Sequence, residues 1–222
     1  MDLSLKLYPY MPVWVKQRIM SKSVVRSYAL NNYSEMRESR KLSEHEVEVL
    51  DKFLNIAKRN VSRPNVLDIG CGDARLYDVY LSEHGVAITG IDISEEQIQR
   101  AKRNLPYATF VKDDFMKYKF ENKYDSIVSF YSIYNIPREN HPKLFRKMYR
   151  WLNSDGNALV LCRIDGVGDL KYWDDWCGAP MAFSYNGIQS MIHNAKAAGF
   201  KVECMGHKDN DEYVWMFLSK ED

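Results

Sequence analysis

The stretch Asn65-Val66-Leu67-Asp68-Ile69-Gly70-Cys71-Gly72-Asp73-Ala74-Arg75 constrains the fold more than any other part of the chain. An apolar run that ends in Gly-x-Gly and passes directly into a helical pattern reads as a buried strand, a tight turn and a helix N-terminus. Glycine is needed in such a turn where a side chain would hold a ligand off the backbone and where φ must be positive. The free N–H groups of the following helix then face whatever lies over the turn. A dinucleotide fingerprint would place a third glycine at position 75, where this chain has Arg75. Asp68, two residues before Gly70, suits a cationic group better than a phosphate.

A chain of 222 residues, 45% hydrophobic and 27% charged, has room for one sizeable core and the balance of an ordinary globular protein. Its net charge of +1 supplies no broad field for nucleic acid. The four cysteines, Cys71, Cys162, Cys177 and Cys204, are far apart and have no histidine at metal-ligand spacing. They read as reduced, mostly buried thiols of a cytoplasmic protein, and no metal site is expected. No run approaches the length of a membrane span, and the N-terminus lacks a signal-peptide pattern.

Residues 1–30 are basic and aromatic: Lys6, Lys16, Arg18, Lys22 and Arg26 stand against Asp2 alone, mixed with Tyr8, Tyr10, Met11, Trp14 and Ile19. Such a segment suits a membrane surface, an RNA, or a lid over a site that must be closed to water. Pro9 and Pro12 interrupt any helix in its first half. The lid or brace is the preferred reading, giving an organisation of residues 1–42 as N-terminal lid or brace and 43–222 as the main domain.

Ser43-Glu44-His45-Glu46 is a capping box before the helical stripe Val47, Leu50, Phe53, Leu54 and Ala57. After the glycine turn the pattern predicts a helix over Ala74 to His84 and a strand from Val86 to Ile91 ending in Asp92. A helix capped by Ser94, with Gln97 completing a box, runs from there to about Asn104. Strands follow at Thr109 to Lys112 and Tyr124 to Phe130. A helix bearing Leu144, Phe145, Met148, Trp151 and Leu152 is ended by Asn153-Ser154-Asp155-Gly156. A strand from Asn157 to Arg163 and a helix marked by Ile188, Met191, Ile192 and Ala195 come next. A terminal hairpin of Lys201 to Met205 and Tyr213 to Ser219 closes the chain. This alternation predicts an α/β fold, a mostly parallel sheet with helices on both faces and one antiparallel C-terminal strand.

The glycine turn resembles motif I of the class I S-adenosylmethionine (SAM)-dependent methyltransferases, an acid followed by Gly-x-Gly. The resemblance, over roughly residues 61–220, implies a Rossmann-like sheet with SAM across its strand ends and S-adenosylhomocysteine (SAH) as product. Asp68, Gly70, Cys71 and Gly72 then belong to the cofactor site, as does Tyr33 of the N-terminal segment. Asp92, ending the second strand beside Ile93, is placed to accept hydrogen bonds from both ribose hydroxyls. The family sets an acid for the adenine amino group at the third strand end, where Asp113 and Asp114 both stand, Asp114 being preferred. Phe115 packs on the adenine or in the core. Ser129-Phe130-Tyr131-Ser132 ends the fourth strand, where the family offers a backbone carbonyl to the methionine ammonium.

Tyr131 to Pro142, with Asp175 to Ser184, looks like a bacterial and archaeal subgroup of small class I methyltransferases whose substrates are mostly unassigned. That subgroup often has histidine at the Asn135 position and an aromatic residue at the Ala182 position, so this chain departs from it at both. Methyl transfer needs little acid–base chemistry, and orientation alone supplies about 7 to 11 kcal/mol. Asn135 cannot titrate but can orient a substrate, and His141 is the nearest alternative base, though a histidine beside Pro142 also suits a helix start. Tyr134 completes the catalytic candidates. Tyr131, Tyr134, Asn135, Trp173, Trp176 and Phe183 form the expected substrate pocket, either as an aromatic wall offering cation–π attraction to an amine or as core aromatics.

The expected activity is methyl transfer to a nitrogen or oxygen of a small molecule, by a monomer or homodimer. The alternatives are an RNA or protein methyltransferase recruited through the basic N-terminal segment, and a catalytically silent SAM-binding protein. No Asn/Asp-Pro-Pro-aromatic or Pro-Cys sequence follows the fourth strand, which disfavours base-amine and cytosine C5 methylation.

Overall fold

The computed structural model describes residues 7–30, 39–163, 167–208 and 212–220. In chain order its elements are α1 (Val13–Ala29), α2 (Glu44–Ala57), β1 (Asn65–Ile69), α3 (Tyr77–Glu83), β2 (Ala87–Asp92), α4 (Glu95–Asn104), β3 (Thr109–Lys112), β4 (Tyr124–Ser129), α5 (His141–Trp151), β5 (Leu152–Arg163), β6 (Val167–Trp176), β7 (Ala179–Asn186), α6 (Gly187–Ala197), β8 (Phe200–Gly206) and β9 (Tyr213–Lys220).

Strand pleating decides the layers. Successive residues point to opposite faces, so Val66 and Leu67 enter different cores. Val66 joins Ile88, Val128, Leu159, Leu161, Trp215 and Phe217 beneath α2, α3 and α4. Leu67 and Ile69 join Ile91, Ile127, Val160 and Met216 beneath α5 and α6. The central strands are therefore apolar on both faces, as a sheet covered on both sides requires.

Seven strands form one sheet in the order β3-β2-β1-β4-β5-β9-β8. β1 to β5 are parallel, and β9 runs antiparallel to both β5 and β8, the expected single reversal. The carboxyl ends of β1 to β5 consequently lie along one edge, with the order reversing beside β1. That switch point is where an open α/β sheet holds its ligand.

Local chemistry explains the boundaries, including those that depart from expectation. Ser43 caps α2 in a full box: its Oγ accepts from Glu46 N at 3.2 Å, and Glu46 Oε2 accepts from Ser43 N at 3.0 Å. Ser94 likewise accepts from Gln97 N, but the Gln97 amide donates to Tyr28 O at 3.0 Å and leaves that box half closed. α3 starts at Tyr77 rather than Ala74, because Ala74 sits at φ 54°, outside helical space. β5 starts at Leu152, so Asn153 to Gly156 is an irregularity inside the strand, where the pairing jumps from Tyr124↔Leu152 to Ser126↔Asn157. Only Cys71 and Cys162 are buried, and Cys204 is exposed, against the expectation of mostly buried thiols.

Two elements lie outside the alternating pattern. β6 and β7 form a separate antiparallel hairpin, turned by Cys177 and Gly178 at φ 55° and 93°. Tyr172 to Trp176 lacks the period-2 alternation that marks a strand. α1 begins directly after Pro12 and packs on β7 through Met20 and Val24. Ser27 Oγ donates to Pro180 O at 3.1 Å, Asn140 donates to Gln17 Oε1 at 2.9 Å, and Lys16 pairs with Glu139. No helix among the described residues is long and apolar enough to cross a membrane.

Candidate active site

A cleft of about 880 Å³ opens over the carboxyl ends of β1, β2, β3 and β4. Its floor is the glycine turn, folded back on the sheet by bonds from Gly70 N and Cys71 N to Ile91 O at 2.8 and 3.2 Å. Gly70 has φ 76°, and a Cβ there would lie 2.3 Å from the Ser132 Cβ, so no other residue fits. The close approach is held by Ser129 and Ser132, whose hydroxyls both donate to Ile69 O, at 3.0 and 2.6 Å, tying the end of β4 to the end of β1.

Asp92 points its carboxylate into this turn, accepting from Gly72 N at 3.1 Å and Ser94 N at 2.8 Å. Burial raises its pKa, opposed by those backbone donors. Asp68 and Asp78 lie carboxyl to carboxyl in the wall of the cleft, each 2% exposed. No donor among the described residues reaches Oδ1 of either, so the two pair only by sharing a proton. Desolvation is the main cause of the upward shift in both, with Asp78 pushed up to about 7. Asp114 accepts from Met116 N at 2.9 Å through Oδ1, while its buried Oδ2 has no hydrogen-bond donor among the described residues and lies 3.6 Å from Lys117.

The structure brings Asp68, Gly70, Cys71, Gly72, Asp92, Ile93, Asp114, Phe115 and Phe130 together on the cleft. It leaves out Asp113, which turns back to accept from Asp114 N at 2.6 Å. The Cys71 thiol packs beneath the turn, where burial raises its pKa and keeps it protonated. Tyr33 lies outside the described residues.

Asn135 lines the cleft, with its buried Oδ1 free of any donor among the described residues. Tyr134 and His141 stand elsewhere. Tyr134 faces a second cavity of about 780 Å³, together with Tyr131, Trp173, Trp176 and Phe183. His141 is corrected outright: it is 2% exposed beneath the 3₁₀ turn at Ile133–Asn135 and bonded through Nε2 to Ile133 O at 3.0 Å. Burial lowers its pKa to about 4, and it lines neither the cleft nor the aromatic chamber. It is a packed structural histidine.

Several site residues escaped the sequence reading. Gln17, Ser21, Val24 and Tyr28 of α1 wall the cleft. Asp78 carried a signal: an acid beside Tyr77 and Leu81 on the buried face of a helix is out of place in an ordinary core. Arg163 ends β5, so the strand-end rule that selected Asp92 applies to it equally. At the end of β4, Tyr131 holds φ 56°, a left-handed conformation that costs on the order of 1 to 3 kcal/mol and swings its ring between cleft and chamber.

Residues 66–156 match the family model for the methyltransferase domain. Over those residues the chain carries a methyltransferase domain. An uncharacterised methyltransferase of Bacillus cytotoxicus is 31% identical over 116 residues, covering 52% of each chain. A phosphoethanolamine N-methyltransferase of Plasmodium falciparum is 30% identical over 58% of this chain and 49% of its own. The chain thus spans about half the length of these relatives. The 1,6-didemethyltoxoflavin-N1-methyltransferase of Burkholderia thailandensis, solved with 1,6-didemethyltoxoflavin and SAH, superposes with a TM-score of 0.66 at 16% identity, covering 96% of this chain and 92% of that one. At that identity the likeness concerns the fold, and it extends across α1 and the hairpin as well as the methyltransferase domain.

Proposed function

We propose that this chain transfers the methyl group of SAM to a nitrogen or oxygen of a small molecule held in the aromatic chamber. The observation that carries the reading is the shared wall: Tyr28 and Tyr131 line both the cleft and the chamber, so two ligands seated in them meet at that boundary.

The residues of the cleft fit SAM. Its lining holds Asp68, Asp73, Asp78, Asp92 and Asp114 against Arg75, and even with one proton shared between Asp68 and Asp78 this is a negative surround for a ligand carrying an ammonium and a sulfonium. The orphaned Oδ atoms of Asp68, Asp78 and Asp114 are acceptors awaiting donors. Gly70 and Gly72 leave backbone where a Cβ would intrude on a ligand over the turn. When bound, SAM supplies an electrophilic methyl group. The chain supplies placement. Asp92 is positioned for ribose hydroxyls, Asp114 for the adenine amino group, with Phe115 and Ile93 as apolar surfaces. Asn135 Oδ1 can accept a hydrogen bond from the acceptor group and fix its approach. α1 covers the cleft with Gln17, Ser21, Val24 and Tyr28, excluding water and acting as the lid. With His141 buried and neutral, the reaction relies on orientation and on an acceptor that arrives already nucleophilic.

Among relatives, one is named for N-methylation of phosphoethanolamine, and a 26% identical one from Bombyx mori for O-methylation of juvenile hormone acid, which supports nitrogen and oxygen as acceptor types. The test is calorimetry with SAM, SAH and NAD, followed by turnover of labelled SAM on a small-molecule library. Tighter binding of NAD than of SAM refutes the reading.

A further inference from the structure

Among the described residues, two charged side chains line the aromatic chamber, and both are positive. They are Arg40 and Arg163, and no acid among the described residues lines it. The adjoining cleft has the opposite bias, with five aspartates against one arginine. A molecule seated across the shared wall therefore has its cofactor end in an acidic field and its chamber end in a basic one.

Three rings of the chamber, Tyr131, Tyr185 and Tyr213, already face a guanidinium. The Arg40 guanidinium lies 5.6 Å from the Tyr77 ring centroid and 5.7 Å from that of Tyr131. That of Arg163 lies 5.0 Å from Tyr185 and 5.6 Å from Tyr213. An ammonium seated on any of these three chamber rings meets a cation that repels it.

Arg40 keeps one donor in reserve. Arg40 uses Nη2 on Glu46 Oε1 at 2.5 Å and on Tyr77 Oη at 3.1 Å, and its buried Nη1 has no hydrogen-bond partner among the described residues. Glu46 is committed to the fold, its other oxygen accepting from Ser43 N. Arg163, held by Glu212 at 2.7 Å and donating to Tyr185 Oη at 3.5 Å, stands in the wall as the second positive charge.

We propose that the substrate is an organic acid: a planar apolar body against Tyr134, Trp176 and Phe183, with its carboxylate on the guanidinium groups of Arg40 and Arg163. This rests on the reading of the chamber as the acceptor site of SAM-dependent methyl transfer.

The experiment titrates the SAH-loaded chain by calorimetry with pairs matched in body and opposite in charge: indole-3-acetate against tryptamine, and 4-hydroxyphenylacetate against tyramine. One of the acids is expected to bind at least about tenfold tighter than its amine, and Arg163→Gln or Arg40→Gln to weaken it by about ten- to a hundredfold, the loss of a charge-assisted hydrogen bond. Arg163→Lys, which keeps the charge and loses the fork, gives a smaller loss. SAH affinity stays unchanged in every variant that folds, which separates a lost contact from a lost fold. Amine binding equal to or tighter than acid binding overturns the proposal. So do acid binding indifferent to all three variants and binding of neither class. Absence of SAH binding to the unaltered chain is seen before any acid is added, and it removes the methyltransferase reading together with this one.

Discussion

Asp78→Asn is the perturbation that most directly interrogates the cleft. In the native chain the Asp68 and Asp78 carboxyls face each other out of water, and Asp78 holds its proton up to about pH 7. The unfolded chain releases the same proton near the ordinary aspartate value of about 3.9. Between those values the folded state binds more protons than the unfolded state, so stability falls as pH rises. From pH 5 to about pH 7 the slope of 1.36 kcal/mol per unit amounts to ~3 kcal/mol, a ceiling that local relaxation lowers to ~1 to 3 kcal/mol. Asparagine fills the same space, cannot ionise, and can donate a hydrogen bond to Asp68, so the penalty of ionising Asp78 disappears. His141, depressed to about 4 by burial, contributes a slope of opposite sign, stability being lost as pH falls below its unfolded value of about 6.5. That contribution and those of Asp92 and other unchanged groups largely cancel in the difference between the two proteins. Urea denaturation of both, without cofactor, at pH 5, 6, 7 and 8 should show the variant gaining on the native chain by ~1 to 3 kcal/mol across the range. Parallel curves, within about 0.5 kcal/mol at every pH, refute the shared-proton pair.

Other consequences are as open to measurement. Asp92→Ala removes the acceptor for Gly72 N and Ser94 N as well as a cofactor contact, and should weaken SAM by about ten- to a hundredfold in calorimetry while circular dichroism stays native; unchanged affinity makes Asp92 only a structural acid. Gly70→Ala drives a Cβ into Ser132 at 2.3 Å from a left-handed φ, and should cost more than about 1 kcal/mol in denaturation and abolish SAM binding; a stable, SAM-binding variant contradicts the turn as described. Asn135→Ala should lower kcat without moving the inflections of the pH profile, whereas loss of an inflection near neutrality in His141→Gln shows that His141 titrates after all. If α1 is a lid and not an RNA grip, Lys22→Gln with Arg26→Gln leaves substrate affinity intact, and that affinity depends little on salt; a steep fall with salt that these changes abolish favours RNA.

Much of the fold was legible because the strands are apolar on both faces and punctuated by glycine and capping serine. The Gly70 turn, Asp92 and Asp114 follow from a rule about strand ends that needs only element order. What remained illegible had two physical causes. Tyr172 to Trp176 is a strand without alternation, since the β6–β7 hairpin lies outside the main sheet and is not patterned against a single core. His141 looked like a surface or catalytic group because its neighbours in sequence are Asn140, Pro142 and Lys143; the 3₁₀ turn at Ile133–Asn135 folds over it, and Cys162, Tyr185 and Met191 close in beside it. Burial by a distant segment leaves no local periodicity to read.

The same reasoning shows why the N-terminal segment could not be interpreted from its charges. Lys16, counted among the cations suited to a polyanion, is 4% exposed, pairs with Glu139 and lies 5.2 Å from the Tyr8 ring centroid. Arg18, Lys22 and Arg26 instead flank an outer groove with Trp14 and Lys117. The helix has two chemistries on adjacent faces, one lining the cleft through Val24 and Tyr28 and one lining the groove through Arg18, Lys22 and Arg26, with Gln17 and Ser21 at their border. A residue's sign in the sequence therefore says less than the face on which the helix presents it. For this chain the charges that bear on substrate choice are those of Arg40 and Arg163, two side chains that no basic run in the sequence singles out.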